Sequence, residues 1–142
     1  MEWNVFRGLF KREDEMKALL YNKKIDVAVL TEMDGEDIRG NYNIPGYKTF
    51  YPLTMDSDDI SEKVRIVCLT KQNNPDIKFK AREDLMSNET PSIWIEARSG
   101  TGTKFLIGGF YREWNHDGDE SMEGQANRTG VIASQIEMAC TE

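Results

Sequence analysis

The residue best suited to carry chemistry is a glutamate at the end of an apolar segment. Residues 26–32 read Asp-Val-Ala-Val-Leu-Thr-Glu, and the four consecutive apolar residues are typical of a strand covered on both faces. Open sheets tend to bind ligands at the carboxyl ends of their strands, so Glu32 is the first candidate. Asn4, in a short apolar segment near the start, is a second. Taken alone, Glu32 is better explained as the polar residue at which a buried strand leaves the core.

The elements around these two residues are predicted in the order strand, helix, strand. Met16, Leu19 and Leu20 recur at i, i+3 and i+4, which predicts an amphipathic helix over 13–22. Short strands are predicted on either side of it, over 3–6 and 25–31.

The rest of the chain is predicted to be mostly antiparallel strands followed by one helix. Strands are predicted over 47–51, 64–69, 92–97 and 104–111, with the last two joined as a hairpin. Ile132, Ile136 and Ala139 recur at i, i+4 and i+7 and predict a helix over 125–138. The fold class expected is therefore α+β, with a sheet as its main layer.

Length and charge limit the classes of function. A chain of 142 residues is expected to form one domain, 1–142. Its formal net charge of −7 provides no general basic field, which argues against nonspecific binding of nucleic acid. The two cysteines lack metal or disulfide spacing, and the first residues lack a signal peptide. We therefore expect an intracellular protein, nuclear or cytoplasmic, without a membrane segment.

Several short segments, in their order and spacing, resemble the landmarks of the endonuclease/exonuclease/phosphatase family. These segments are Trp3-Asn4-Val5 with Gly8-Leu9, residues 26–32, Gly46-Tyr47 and Gly109-Phe110-Tyr111-Arg112. In particular, the chain is similar to the apurinic-type endonuclease domains of non-LTR retrotransposons. The resemblance implies a two-sheet sandwich that hydrolyses phosphodiesters of nucleic acid, with Mg²⁺ at the mouth between the sheets.

The resemblance also implies roles for four residues. Asn4 and Glu32 match the family's metal-site asparagine and glutamate, and oxygen ligands of this kind suit Mg²⁺. Tyr111 matches a tyrosine that donates a hydrogen bond to the scissile phosphate. Arg112 follows it, and a guanidinium can hold a phosphate through two parallel hydrogen bonds. The alternative is that Tyr111 is an amphipathic rim residue and Arg112 a solvated charge.

The chain departs from the family pattern in two respects. Glu113 stands where the retroelement pattern commonly has proline, and no Gly-Asp-x-Asn or Ser-Asp-His motif is present to supply the later catalytic groups. His116 precedes the position of the family's histidine and is not assigned its role. We therefore expect the amino-terminal part of a truncated endonuclease-like domain, catalytically inactive as this chain and with an incomplete Mg²⁺ site.

A truncated sandwich has a structural consequence. If the second sheet came mostly from the absent half, the inner face of the first sheet would be uncovered, and it would favour self-association. Candidate residues for that face are Val29, Ile66, Trp94 and Ile107.

The competing hypothesis is a non-enzymatic binding module. The segments 56–62 and 117–123 are acidic and suit a cation or a basic partner. Neither segment matches a calcium-binding EF-hand loop, because Met122 occupies the position of the required glycine in one and Ile60 a ligand position in the other.

Overall fold

In a computed structural model, the described residues form two sheets, two α-helices and one short 3₁₀ helix. The structure describes residues 1–4, 9–33, 42–53, 65–111 and 122–142. The elements are β1 (Glu2–Asn4), α1 (Leu9–Asn22), β2 (Val27–Thr31), β3 (Tyr47–Phe50), β4 (Ile66–Lys71), β5 (Ile77–Ala81), a short 3₁₀ helix (Glu83–Leu85), β6 (Ser92–Ser99), β7 (Lys104–Phe110) and α2 (Met122–Cys140). None of the helices in these ranges is long and apolar enough to cross a membrane.

The first sheet has the strand order β1-β2-β4-β3. β1 runs parallel to β2, with Asn4 opposite Thr31. β4 is antiparallel to both of its neighbours, β2 and β3. β4 lies in the middle of the sheet, and its residues Ile66–Thr70 are all buried. The apolar residues Ile66–Leu69 suit that position because a strand covered on both faces needs apolar side chains on both.

The second sheet has the order β5-β6-β7 and is antiparallel throughout. β5 reads Ile-Lys-Phe-Lys-Ala, in which exposed lysines alternate with half-buried apolar residues. β6 and β7 form the predicted hairpin, and its turn requires the left-handed backbone of Gly102 (φ +88°).

The elements stack as four layers, from α1 through the two sheets to α2. The cluster on the α1 side of the first sheet contains Met16, Leu20, Ala28, Leu30, Met33, Tyr42, Ile44, Tyr47, Val67 and Leu69. A second cluster, the interlayer cluster, joins the sheets and contains Phe50, Ile66, Cys68, Ile93 and Ile95. α2 covers the outer face of the second sheet, where Trp94 donates a hydrogen bond to Gln135. The α+β prediction is therefore confirmed.

The prediction that the first sheet has an uncovered inner face is wrong. Ile66 is 0% exposed and Val29 packs against the interlayer cluster, because β5, β6 and β7 already supply a second sheet. β5 was not predicted from the sequence. Ile107 belongs to this second sheet, and Trp94 lies on its outer face under α2.

The helix predictions also need correction. α1 begins at Leu9, a full turn before the predicted start, so Glu13 lies within the helix and pairs with Lys17 at 2.6 Å. In α2 the predicted apolar stripe is only partly the packed face: Ile132 and Ala139 are half-buried, but Ile136 is 44% exposed and the buried residue is Gln135.

Candidate functional site

Asn4 and Glu32 lie at the same end of the first sheet. Asn4 is the last residue of β1 and pairs with Thr31, the last residue of β2, directly before Glu32. The N-terminal ammonium of Met1 donates to the Val27 carbonyl at 2.8 Å, and the Val29 N–H donates to the Met1 carbonyl at 2.8 Å. These bonds hold the two strands parallel, so their carboxyl ends meet at one edge.

Glu32 has an unusual backbone conformation for a residue with a side chain. Its φ is +58°, in the left-handed region, and the Met33 N–H donates to the Arg65 carbonyl at 3.4 Å. In a regular strand, residues three positions apart point to opposite faces of the sheet, but Leu30 and Met33 both lie on the α1 side. The alternation of side chains between the two faces is therefore interrupted at the end of β2. Glu32 thus occupies a bulge-like step at the end of the strand, a local structure that often redirects a side chain.

Asn4 and Tyr111 both lie on the side where the sheets face each other. Trp3 packs on the α1 side, so its neighbour Asn4 points to the opposite face and is exposed. Tyr111 follows β7, packs half-buried against the interlayer cluster, and donates its N–H to the Pro91 carbonyl at 3.0 Å. The two residues therefore belong to the same side of the first sheet.

A glycine allows the sheets to approach closely next to this region. A Cβ on Gly109 would lie 2.9 Å from Val29 Cγ1 and 3.2 Å from Ile66 Cδ1. A Cβ here would overlap these side chains unless they shifted, so the close approach of β7 to β2 is favoured by glycine at residue 109. In the sequence, Gly109 is part of the segment Gly109-Phe110-Tyr111-Arg112, and the signal for its packing role is a glycine inside a strand pattern.

The space between the sheets is strongly apolar. Cys68 lies within it, and burial raises the pKa of its thiol to about 12. A thiol with that pKa stays protonated at neutral pH and is a poor nucleophile or metal ligand. Chemistry at this end of the molecule therefore has to come from the rim of the interlayer space.

Oxygen donors at the rim are few in the part of the chain that is described. Within those ranges no three His, Cys, Asp or Glu residues are grouped closely enough to hold a metal ion. Of the four predicted site residues, Asn4 and Glu32 are brought together and Tyr111 lies on the interlayer side. Arg112, together with Glu113, His116 and the acidic segments 56–62 and 117–121, lies outside the described residues.

Comparison with solved structures supports the fold. The chain is similar to a humanized TDP2 from D. rerio, a protein of the endonuclease/exonuclease/phosphatase fold, with a TM-score of 0.62 and 15% identity. The match covers 96% of this chain and 54% of that protein, so the chain spans about half its length. No protein-family model and no curated protein matches the sequence. At this identity the likeness concerns the fold alone.

Proposed function

We propose that the chain is the amino-terminal part of a Mg²⁺-dependent phosphodiester-hydrolysing domain of the retroelement endonuclease type. The observation that carries the proposal is the pairing of Asn4 with Thr31, next to Glu32, at the carboxyl ends of two parallel strands. The nuclease-like and phosphodiesterase-like fold is a second support. Such a protein would act on nucleic acid inside the cell.

The donors at this end of the sheet suit magnesium. Mg²⁺ binds hard oxygen atoms and commonly uses only one or two carboxylates while keeping several waters. The Glu32 carboxylate and the Asn4 amide oxygen are donors of that kind, and Asn4 is exposed to solvent. When bound, the ion would stabilise negative charge on phosphoryl oxygens. With a single carboxylate, the site is expected to bind the ion weakly.

Tyr111 and Arg112 are proposed to hold the phosphate. Tyr111 is half-buried at the end of β7, where a phenol can donate a hydrogen bond to a phosphoryl oxygen. The Arg112 guanidinium would add two parallel hydrogen bonds. Because the chain has a net charge of −7, recognition of nucleic acid depends on these local contacts and on the cation.

The 142-residue chain is proposed to be catalytically inactive. It contains neither of the two later motifs that orient water and transfer protons in the family it resembles. General acid–base catalysis typically contributes about 10²- to 10⁴-fold, so a chain without these groups should hydrolyse phosphodiesters at close to the background rate.

Binding of the cation can be tested without activity. Mn²⁺, added well below one equivalent to the ¹⁵N-labelled chain, should broaden the amide signals of Asn4, Thr31 and Met33 before others. Glu32→Gln should remove this broadening, because it replaces the charged ligand by a neutral amide. Glu89→Gln, at an exposed carboxylate in another loop, is the matched control and should leave the pattern unchanged. Broadening centred elsewhere, or unaffected by Glu32→Gln, would contradict the proposed site.

Activity is tested separately by nicking of supercoiled plasmid, with and without abasic sites, in the presence of Mg²⁺. The chain and Glu32→Ala are expected to give the same background rate. Mg²⁺-dependent cleavage that disappears in Glu32→Ala would support the metal site but overturn the proposed inactivity.

A further inference from the structure

The hydroxyl group of Thr31 lies beside the two residues proposed to bind the cation. Thr31 is the last residue of β2, it directly precedes Glu32, and Asn4 of β1 is its partner in the ladder. We propose that Thr31 is a positioning residue for the cation, whose hydroxyl contacts the hydration shell of the ion and so holds the ion between Asn4 and Glu32. The inference rests on the proposed function, which supplies the two ligands, and it adds a third residue to that site.

The face of the sheet on which Thr31 lies follows from its neighbours. Leu30 belongs to the cluster on the α1 side, whereas Val29 packs against the interlayer cluster. Because side chains alternate along a strand, the Thr31 side chain points to the interlayer side. Its partner on β4, Ile66, is a member of the interlayer cluster, as this assignment requires.

Asn4 lies on the same face as Thr31. Trp3 is paired with Leu30, and both side chains pack on the α1 side. The next pair along the two parallel strands, Asn4 with Thr31, therefore points to the interlayer side. Neighbouring strands are about 4.8 Å apart, so the two polar side chains are adjacent at the rim.

Thr31 is a polar residue in an apolar row. Val29, two positions earlier, and Ile66, across the ladder, have no side-chain group that forms hydrogen bonds. Thr31 is 8% exposed, and in the part of the chain that the structure describes its hydroxyl has no hydrogen-bond partner. Buried polar groups normally have a partner, and a bound ion or its waters can provide one. A hydrated cation beside Asn4 and Glu32 would do so here.

A hydroxyl group suits the hydration shell of Mg²⁺. The ion dehydrates reluctantly and usually keeps several waters beside one or two carboxylates. Those waters donate hydrogen bonds, and the threonine oxygen accepts them through two lone pairs. Because threonine is β-branched, its χ1 angle is restricted, so the acceptor is held in place. Loss of such an outer partner typically weakens metal binding about 10- to 100-fold.

Binding of Mn²⁺ to the ¹⁵N-labelled chain tests the role of Thr31. At low occupancy, the broadening of the Met33 amide signal per added Mn²⁺ is inversely proportional to the dissociation constant. Thr31→Val keeps the shape of the side chain and removes the hydroxyl, so this slope should fall about 10- to 100-fold. Thr31→Ser retains the hydroxyl and should keep most of the slope. An unchanged slope in Thr31→Val, or a slope in Thr31→Ser as low as in Thr31→Val, would overturn the proposal.

Thr70 provides the matched control. It is a threonine of the same sheet, 2% exposed, in β4. Its partner in the ladder is Val27, four residues from Thr31 along β2, which is about 13 Å. Thr70→Val should therefore leave the slope unchanged. A loss equal to that of Thr31→Val would show that the effect is not confined to the rim, and would overturn the proposal.

Stability separates a positioning role from a packing role. Thr31→Val replaces a hydroxyl by a methyl group in an apolar row, so the midpoint of urea unfolding should stay the same or rise. Weaker Mn²⁺ binding at equal or higher stability is the expected result. Weaker binding together with a lower midpoint would indicate that Thr31 acts through packing, and would overturn the positioning role.

Glu32→Gln distinguishes failure of this inference from failure of the proposed function. If Glu32→Gln leaves the slope unchanged, no cation site exists at this rim and both are overturned. If Glu32→Gln removes the broadening while Thr31→Val does not alter it, the metal site stands and only the role of Thr31 is overturned.

Discussion

At the scale of single residues, the backbone of Glu32 connects stability with function. A residue with a Cβ in the left-handed region is strained by about 1–2 kcal/mol, and only glycine avoids that cost. Such strain persists where the surrounding structure imposes it, and it is concentrated at functional sites. Glu32 combines this conformation with a position at the carboxyl end of β2, which the sequence alone identified as a candidate site.

The strain leads to a prediction about glycine. Glu32→Gly is expected to be more stable than Glu32→Ala by about 1 kcal/mol, because only glycine relaxes at φ +58°. Urea denaturation measures the difference. The matched pair is Lys48→Gly and Lys48→Ala in β3, where glycine should be the less stable substitution. The same order at both positions would argue against strain at Glu32.

At the scale of elements, the packing of β7 on β2 depends on one missing side chain. Gly109→Ala is expected to lower the free energy of unfolding by about 1–3 kcal/mol, because its Cβ would overlap Val29 Cγ1. Denaturant titration checks the value. Gly100→Ala is the control, since no atom lies within 4 Å of its added Cβ, and a change within about 0.5 kcal/mol is expected.

The steric explanation can be distinguished from a general loss of glycine. Val29→Ala makes room beneath residue 109, so the double variant with Gly109→Ala should lose less stability than the sum of the two single changes. Additive losses would show that the contact between these two residues is not the cause.

The end of α2 is attached to the second sheet by charge. Arg82 pairs with Asp84 at 2.6 Å, with Glu96 at 3.3 Å and with Glu142 after the helix. Hydrogen bonds from the Arg82 guanidinium lower the pKa of Asp84 and Glu142, and those from Arg98 and then Arg82 lower the pKa of Glu96. These ion pairs connect Glu142, which follows α2, with the 3₁₀ helix and with β6, while the buried residue of the helix itself is Gln135.

The direction of these pKa shifts predicts an acid sensitivity. A carboxylate with a lowered pKa stabilises the folded state above its ordinary pKa, and this contribution is lost as the pH falls through the lowered value. Between about pH 5 and pH 2 the stability should therefore decrease, and Trp94 fluorescence in a Trp3→Phe, Trp114→Phe background should report the loosening of α2. Arg82→Gln should flatten this dependence, while Lys78→Gln, an exposed cation of β5, should not. An unchanged pH profile in Arg82→Gln would contradict the role of the cluster.

At the scale of the whole molecule, the interlayer cluster ties the two sheets together. Ile95 is 0% exposed in the second sheet and packs in the same cluster as Ile66 of the first. Removing one sheet would expose the other, so the two should unfold together.

This coupling is tested with two probes. In a Trp3→Phe, Trp114→Phe background, Trp94 fluorescence reports the second sheet and far-ultraviolet circular dichroism reports all elements; their denaturation curves should coincide. Ile95→Ala should shift both curves by the same amount, about 2–5 kcal/mol, because it leaves a cavity in the shared cluster. Ile136→Ala, at an exposed residue of α2, should change little. Two separate transitions would contradict the coupling.

The local pattern of residues was sufficient for the class of fold and for most elements. Apolar and β-branched segments predicted β2, β3, β4, β6 and β7, and periodicity predicted both helices, because these signals depend only on neighbours in the chain. The position of Glu32 at the end of a buried strand was likewise readable from residues 26–32.

Contacts between distant segments decided the rest. β5 was not predicted, and neither was the second sheet, which covers Val29 and Ile66. A lysine-rich alternating segment such as β5 becomes a strand only when β6 lies beside it. The face that α2 buries depends on the Trp94–Gln135 contact, across 41 positions of sequence. The left-handed backbone of Glu32 accompanies the hydrogen bond from the Met33 N–H to the Arg65 carbonyl. This contact joins distant segments, so no local propensity encodes it.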